Sequence, residues 1–152
     1  MNPNRLWSPA FINYGVSSGI FYMTQYVLVA ALPIILTSDL GGTALDAGLA
    51  MTYFQIGNIV CRPFAGRLID GLDKRVILLL SSILFFVIMG LFNLTTSLET
   101  IFVLRGLHGA IFALATTVMA ALAVVVLPAA RKGEGINMFA VFSNIAMVLR
   151  RL

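Results

Sequence analysis

At 152 residues, with 60% of them hydrophobic and only 11% charged and a mean hydropathy of +0.99, the chain lacks the polar shell a soluble domain of this size requires. It is therefore an integral membrane protein, with the lipid bilayer as its solvent. The net charge of +4 and a pI near 9.7 do not point to nucleic acid, because the basic residues stand in short clusters between apolar runs, where they serve as topology signals.

The first apolar run, about Pro9 to Leu36, is long enough to cross roughly 30 Å of hydrocarbon with some tilt. It is too long for the core of a signal peptide, and a second span follows it, so it is expected to be retained. The turn Thr37 to Leu45 holds Asp39, Gly41 and Gly42 and no basic residue. A second span is expected over Asp46 to Ala65. Gly66 to Arg75, reading GRLIDGLDKR, follows as a charged connector, so short that the helices on either side must be antiparallel neighbours. A third span runs from Val76 to about Leu94 and stops at the polar turn Thr95 to Glu99; a fourth covers Thr100 to Leu127 and is closed by Pro128 and the turn AARKGEG. The fifth run, Ile136 to Leu149, would extend only about 21 Å as a helix before Arg150 and Arg151 arrive. These lengths predict an all-α membrane bundle of four complete transmembrane helices and a truncated fifth.

Orientation follows from the cations. If the spans alternate, Arg5, Arg62, Arg67, Lys74, Arg75, Arg131 and Lys132 fall on one side, whereas the opposite loops carry Asp39, Asp46 and Glu99 but no Lys or Arg. The positive-inside rule places the amino terminus and the connector in the cytoplasm. Cys61, the single cysteine, excludes an internal disulfide and sits in an apolar run as a small packing residue. No metal-ligand spacing and no cofactor motif occurs.

Polar residues within the spans mark candidate cavity walls. Tyr14, Ser18, Tyr22 and Gln25 recur at spacings of four, four and three, which puts them on one stripe of the first helix. Gln55 and Asn58 lie one turn apart on the second, and such groups at membrane depth face a cavity or bond across helices. Gly15 and Gly19 form a small-xxx-small pair suited to close helix packing. Arg105 lies several residues into an apolar run, where a bare cation costs several kcal/mol unless it is paired or snorkels. It shares a face with Gly109, Phe112 and Thr116, with His108 one turn on. That face either lines a polar cavity or packs on another helix; alternatively, the arginine reaches outer headgroups, Glu99 or Asp46. His108 either titrates near neutral pH or makes an interhelical hydrogen bond. No Asp or Glu lies deep in any span.

Gly66, Leu68, Asp70, Lys74 and Arg75 match the signature G-x-L-x-D-[RK]-x-G-[RK]-[RK] between helices two and three of the major facilitator superfamily, which this chain resembles over its length to about Leu149. Gly71 stands where that signature has a basic residue, and Asp73 where it has glycine. Arg62, Pro63 and Gly66 also look like the exporter branches of the family. The run Arg105, Gly106, Leu107, His108, Gly109 resembles its fourth-helix motif R-x-x-Q-G, with His108 in place of glutamine. The resemblance implies the amino-terminal part of a twelve-helix fold built from inverted three-helix repeats. It further implies that the Gly66–Arg75 loop is a conformational latch, that Arg105 faces the central cavity, and that Tyr14, Tyr22, Gln25 and Asn58 are candidate substrate contacts.

What the resemblance implies about function is a secondary active transporter, most similar to bacterial exporters of drugs or metabolites, working by proton-coupled alternating access in the cell membrane. It is not an enzyme. Small-molecule substrate and proton are the expected ligands of the intact parent, and no cofactor is expected. Because alternating access needs two helix bundles, the chain alone is expected to be inactive. Two partnered readings stay open: a split transporter completed by a separate chain carrying the missing helices, and a regulator of a full-length relative. A small four-helix multidrug pump is disfavoured, since such pumps need a carboxylate on the first helix and this one has none.

Overall fold

Residues 6–149 are described by a computed structural model, and every regular element among them is helical. The helices are α1 (Pro9–Ser38), α2 (Ala44–Gly71), α3 (Lys74–Phe92), α4 (Leu98–Val125) and α5 (Lys132–Leu149), with a 3₁₀ turn at Ala129–Arg131 before α5. Arg5, counted above among the topology cations, and Arg150 and Arg151, expected to end the fifth run, lie outside the described residues.

The helix ends are written in short polar residues. Ser8 Oγ accepts from the Phe11 amide at 3.2 Å and caps α1. After α1 the chain turns through Gly41, whose φ of 64° suits glycine, and the Gly42 amide returns to the Leu36 carbonyl at 2.8 Å. Thr43 and Asp46 form a capping box on α2: the Thr43 amide donates to Asp46 Oδ2 at 2.7 Å and the Asp46 amide to Thr43 Oγ1 at 3.3 Å. Arg131 and Glu134 pair at 2.6 Å at the start of α5, and the guanidinium holds the Glu134 carboxyl below the usual carboxylate range.

Two boundaries differ from the sequence reading. The expected ten-residue connector contracts to Leu72 and Asp73, because α2 continues through Gly66–Gly71 and α3 begins at Lys74. Asp73 explains the sharp restart: its Oδ1 accepts from the Arg75 amide at 2.7 Å as the N-cap of α3. Lys74 Nζ reaches back to the Ile69 carbonyl at 3.1 Å, placing a cation on the negative end of α2. The residue that departs from the family's glycine is thus a helix cap. Asp73→Ala is expected to destabilise α3 by about 1 kcal/mol and to speed hydrogen exchange at the first-turn amides of α3 relative to those of α4. The fifth helix also starts earlier than expected, at Lys132, because Glu134 and the 3₁₀ turn initiate it; its 18 residues reach about 27 Å.

By length and composition α1, α3 and α4 can each cross a membrane. α2, at 28 residues, is long enough, but Gln55, Asn58 and Arg62 dilute its central apolar run.

Contacts divide the chain into two compact units, one of residues up to Val27 together with those from Met119 on, the other Leu28–Val118. In the first, Leu6, Phe11, Ala123 and Leu127 form the core against Tyr14, Met138, Phe139 and Phe142. Gly15 and Gly19 let α1 meet α5 closely there: a Cβ on Gly15 would sit 2.5 Å from Phe142 Cε2, and one on Gly19 3.3 Å from the Phe142 carbonyl oxygen. In the second, Leu28, Leu32, Leu36, Ala47, Ala50 and Ile101 are packed with Met51, Met89, Phe92 and Phe102.

Candidate functional site

Along α4, Arg105, His108, Phe112 and Thr116 follow at intervals of three, four and four and are all buried, Arg105 and His108 at 0% exposure. Full burial sets aside the alternative that Arg105 snorkels to headgroups. Its surroundings are soft and aromatic. Nη2 donates to Met51 Sδ at 3.1 Å, Nη1 lies 3.3 Å from His108 Nδ1, and the guanidinium carbon stands 4.8 Å from the centre of the Phe54 ring, a cation–π geometry. Arginine only donates, so His108 Nδ1 accepts and the imidazole proton resides on Nε2. That bond lies within α4, not between helices as expected. The imidazole reaches other helices through tilted and edge-on aromatic contacts instead, with Phe85, Phe54 and Phe92 centred 4.9, 5.2 and 6.0 Å away.

Glycines on both helices allow this arrangement. A Cβ on Gly109 would strike the Phe54 carbonyl oxygen and lie 3.0 Å from the Asn58 amide nitrogen; one on Gly57 would strike the Gly106 carbonyl oxygen and lie 3.1 Å from the Ala110 nitrogen. The α2 and α4 backbones therefore touch, and the touch sets Met51 and Phe54 over Arg105. On the outer side of the crossing, Tyr53, Gly57, Cys61, Phe64, Gly106 and Ala110 line an apolar groove.

The remaining sequence candidates are distributed as follows. Gly66, a member of the family signature, faces open space among the described residues, whereas Gly57 makes a close backbone approach. Leu68 and Asp70 are exposed on the last turns of α2, Lys74 caps α2, and Arg75 is exposed on α3. Asn58 Oδ1 accepts from Arg62 Nε at 3.0 Å. Tyr14, Tyr22 and Gln25 belong to the first unit: Tyr14 packs on its core, Tyr22 lies 6.4 Å from the Tyr26 ring, and Gln25 is buried. Gly57, Met51 and Phe54 escaped the sequence reading. Gly57 carried a signal in its apolar setting, and Met51 in its place one turn before Gln55. Arg62 reads in the sequence both as a topology cation and, with Pro63 and Gly66, as part of the exporter-like stretch.

Residues 14–150 match the sequence profile described as Major Facilitator Superfamily, whose members are transporters rather than enzymes. An uncharacterized MFS-type transporter of Pseudomonas aeruginosa is 40% identical over 60 residues, covering 39% of this chain and 15% of that protein. The quinolone resistance protein NorA of Staphylococcus aureus is 37% identical over 59 residues, again 39% of this chain and 15% of the relative. The matched stretch is thus a small part of the length of each of these relatives.

Proposed function

This chain belongs to the Major Facilitator Superfamily, and on that premise we propose that it supplies the amino-terminal helices of a proton-coupled exporter of small organic molecules. α2 and α5 join α1, α3 and α4 in the membrane in this reading, with the amino terminus and the α2–α3 turn on the cytoplasmic side of the cell membrane. The Gly66–Arg75 segment, with Gly66, Leu68, Asp70, Lys74 and Arg75, acts as the latch, and Arg105, with His108 beside it, is the charged element of the bundle's interior. The observation that supports the reading best is the buried Arg105–His108 pair on α4, within a chain matched by the family from residue 14 to residue 150. Stability alone does not call for a buried cation, since an apolar side chain of similar volume would pack at no desolvation cost.

Two rocking bundles are needed for alternating access, so these helices by themselves are expected to be inactive. Vesicles holding only this chain, given a proton gradient and a fluorescent quinolone, are expected to show the same flux as empty vesicles. Gradient-dependent flux abolished by a protonophore would overturn the inactivity. If a separate chain supplies the remaining helices, affinity purification from the native membrane brings down a second multi-span chain. A regulatory role would show instead as altered efflux by a full-length relative on co-expression.

A further inference from the structure

We propose that the Gln55–Asn58–Arg62 stripe of α2 is a wall of the solute path and takes an organic anion, with Arg62 as the group that meets its carboxylate. This rests on the reading that α2 crosses the membrane in a transporter. Gln55, Asn58 and Arg62 follow at helical spacing and continue the line that begins at Met51, which touches Arg105. Gln55 and Arg62 are exposed and Asn58 is half-buried.

Arg62 lies about 13 Å along the axis from the Gly71 end of α2; since α2 is longer than the roughly 30 Å of hydrocarbon and its expected span ends at Ala65, Arg62 stands about one turn inside the cytoplasmic edge of the membrane. An exposed guanidinium at that depth has two ordinary solutions: to snorkel to the phosphate layer, or to face water or a counter-charge. Snorkelling is opposed by the geometry. Nε donates to Asn58 Oδ1 at 3.0 Å, and Asn58 is one turn further from the Gly71 end, so the side chain is held toward the membrane centre. No carboxylate pairs with Arg62 among the described residues.

Charge complementarity fixes the sign of the ligand. Every carboxylate in the described helices lies in a first or last turn, as Asp46, Asp70, Glu99 and Glu134 do, whereas Arg62 and Arg105 are the charges well inside α2 and α4. The potential along this wall is positive, and it attracts carboxylates and repels organic cations. The planar guanidinium also offers two parallel donors matched to a carboxylate.

The test uses the full chain in nanodiscs of phosphatidylcholine and two probes that share one aromatic body, 1-naphthoate and 1-naphthylmethylammonium, with binding read by equilibrium dialysis. Naphthoate is expected to bind at least about tenfold tighter than the ammonium probe and to weaken as salt is raised. Arg62→Gln should remove at least about tenfold of that affinity, Arg62→Lys should retain most of it, and Arg67→Gln, near the helix end, should leave it unchanged. Phosphatidylglycerol added to the nanodiscs should not compete; competition would mean that a lipid phosphate is the anion. Equal binding of both probes, preference for the cation, or indifference to Arg62→Gln would overturn the proposal. No binding of either probe would do so too, and would leave a carboxylate on another polypeptide as the group Arg62 faces. Because binding alone is read, absence of transport bears on the transporter reading and not on this site.

Discussion

Gly109→Ala is expected to destabilise the protein by about 1–3 kcal/mol, the range for forcing an extra carbon into a packed contact. The added Cβ would meet the Phe54 carbonyl and the Asn58 nitrogen, and backbone atoms, unlike the end of a long side chain, have no rotamer in which to escape. Gly57→Ala should behave alike, since its Cβ would meet the Gly106 carbonyl. The sign is what makes the test sharp. Alanine is the better helix former by about 1 kcal/mol, so Gly48→Ala and Gly90→Ala, where a Cβ meets nothing within 4 Å, should stabilise slightly. Unfolding in mixed micelles by increasing fractions of a denaturing detergent would rank the four variants. If Gly109→Ala ranked with Gly90→Ala, the α2–α4 backbone contact would not exist. The contact also controls the site: α2 displaced from α4 would lift Met51 and Phe54 from Arg105, leaving a buried cation without its cover.

Much of this was legible in the chain itself. Apolar runs and the polar residues between them give helices in the right order, because a bilayer forces backbone groups to be satisfied within each segment. The α4 face was legible too: Arg105, His108, Phe112 and Thr116 share it at helical spacing, and all are buried. What spacing along one helix cannot reveal is which neighbour meets that face. The Met51 thioether and the Phe54 ring come from α2, and the ring nearest His108, Phe85, comes from α3. The connector was misread for a different reason. Charge reads as a sign of loop, yet Arg67 and Asp70 sit on exposed positions of a continuing helix, and the true break is a single aspartate cap. Gly66 had the motif but not the contact, and Gly57 had the contact without a motif.

Phe54→Ala is the second large effect expected. The ring is 4% exposed and lies against Arg105, His108 and Phe112, with ring centres 5.2 Å and 5.6 Å away for the last two. Truncating such a side chain costs about 3–5 kcal/mol through lost contacts and the cavity left behind, a term that persists in a bilayer because helix association there depends on packing. Part of the cost is electrostatic. A guanidinium over a desolvated ring gains about 2 kcal/mol from the ring quadrupole, and that share vanishes once the cation is gone. Arg105→Met alone should therefore be nearly neutral in stability or slightly favourable, since it removes a buried charge and keeps the volume. In the Arg105→Met background, Phe54→Ala should cost about 1–2 kcal/mol less than in the parent chain, a coupling well above the ~0.5 kcal/mol scatter of independent sites. Additive effects would reduce Phe54 to a packing residue. A strong loss of stability from Arg105→Met alone would mean that the cation holds the fold, and its assignment to the working interior of the bundle would fall. The coupling expected here instead describes a charge tolerated because an aromatic ring and a thioether are brought over it by two glycine contacts, with an imidazole beside it on its own helix.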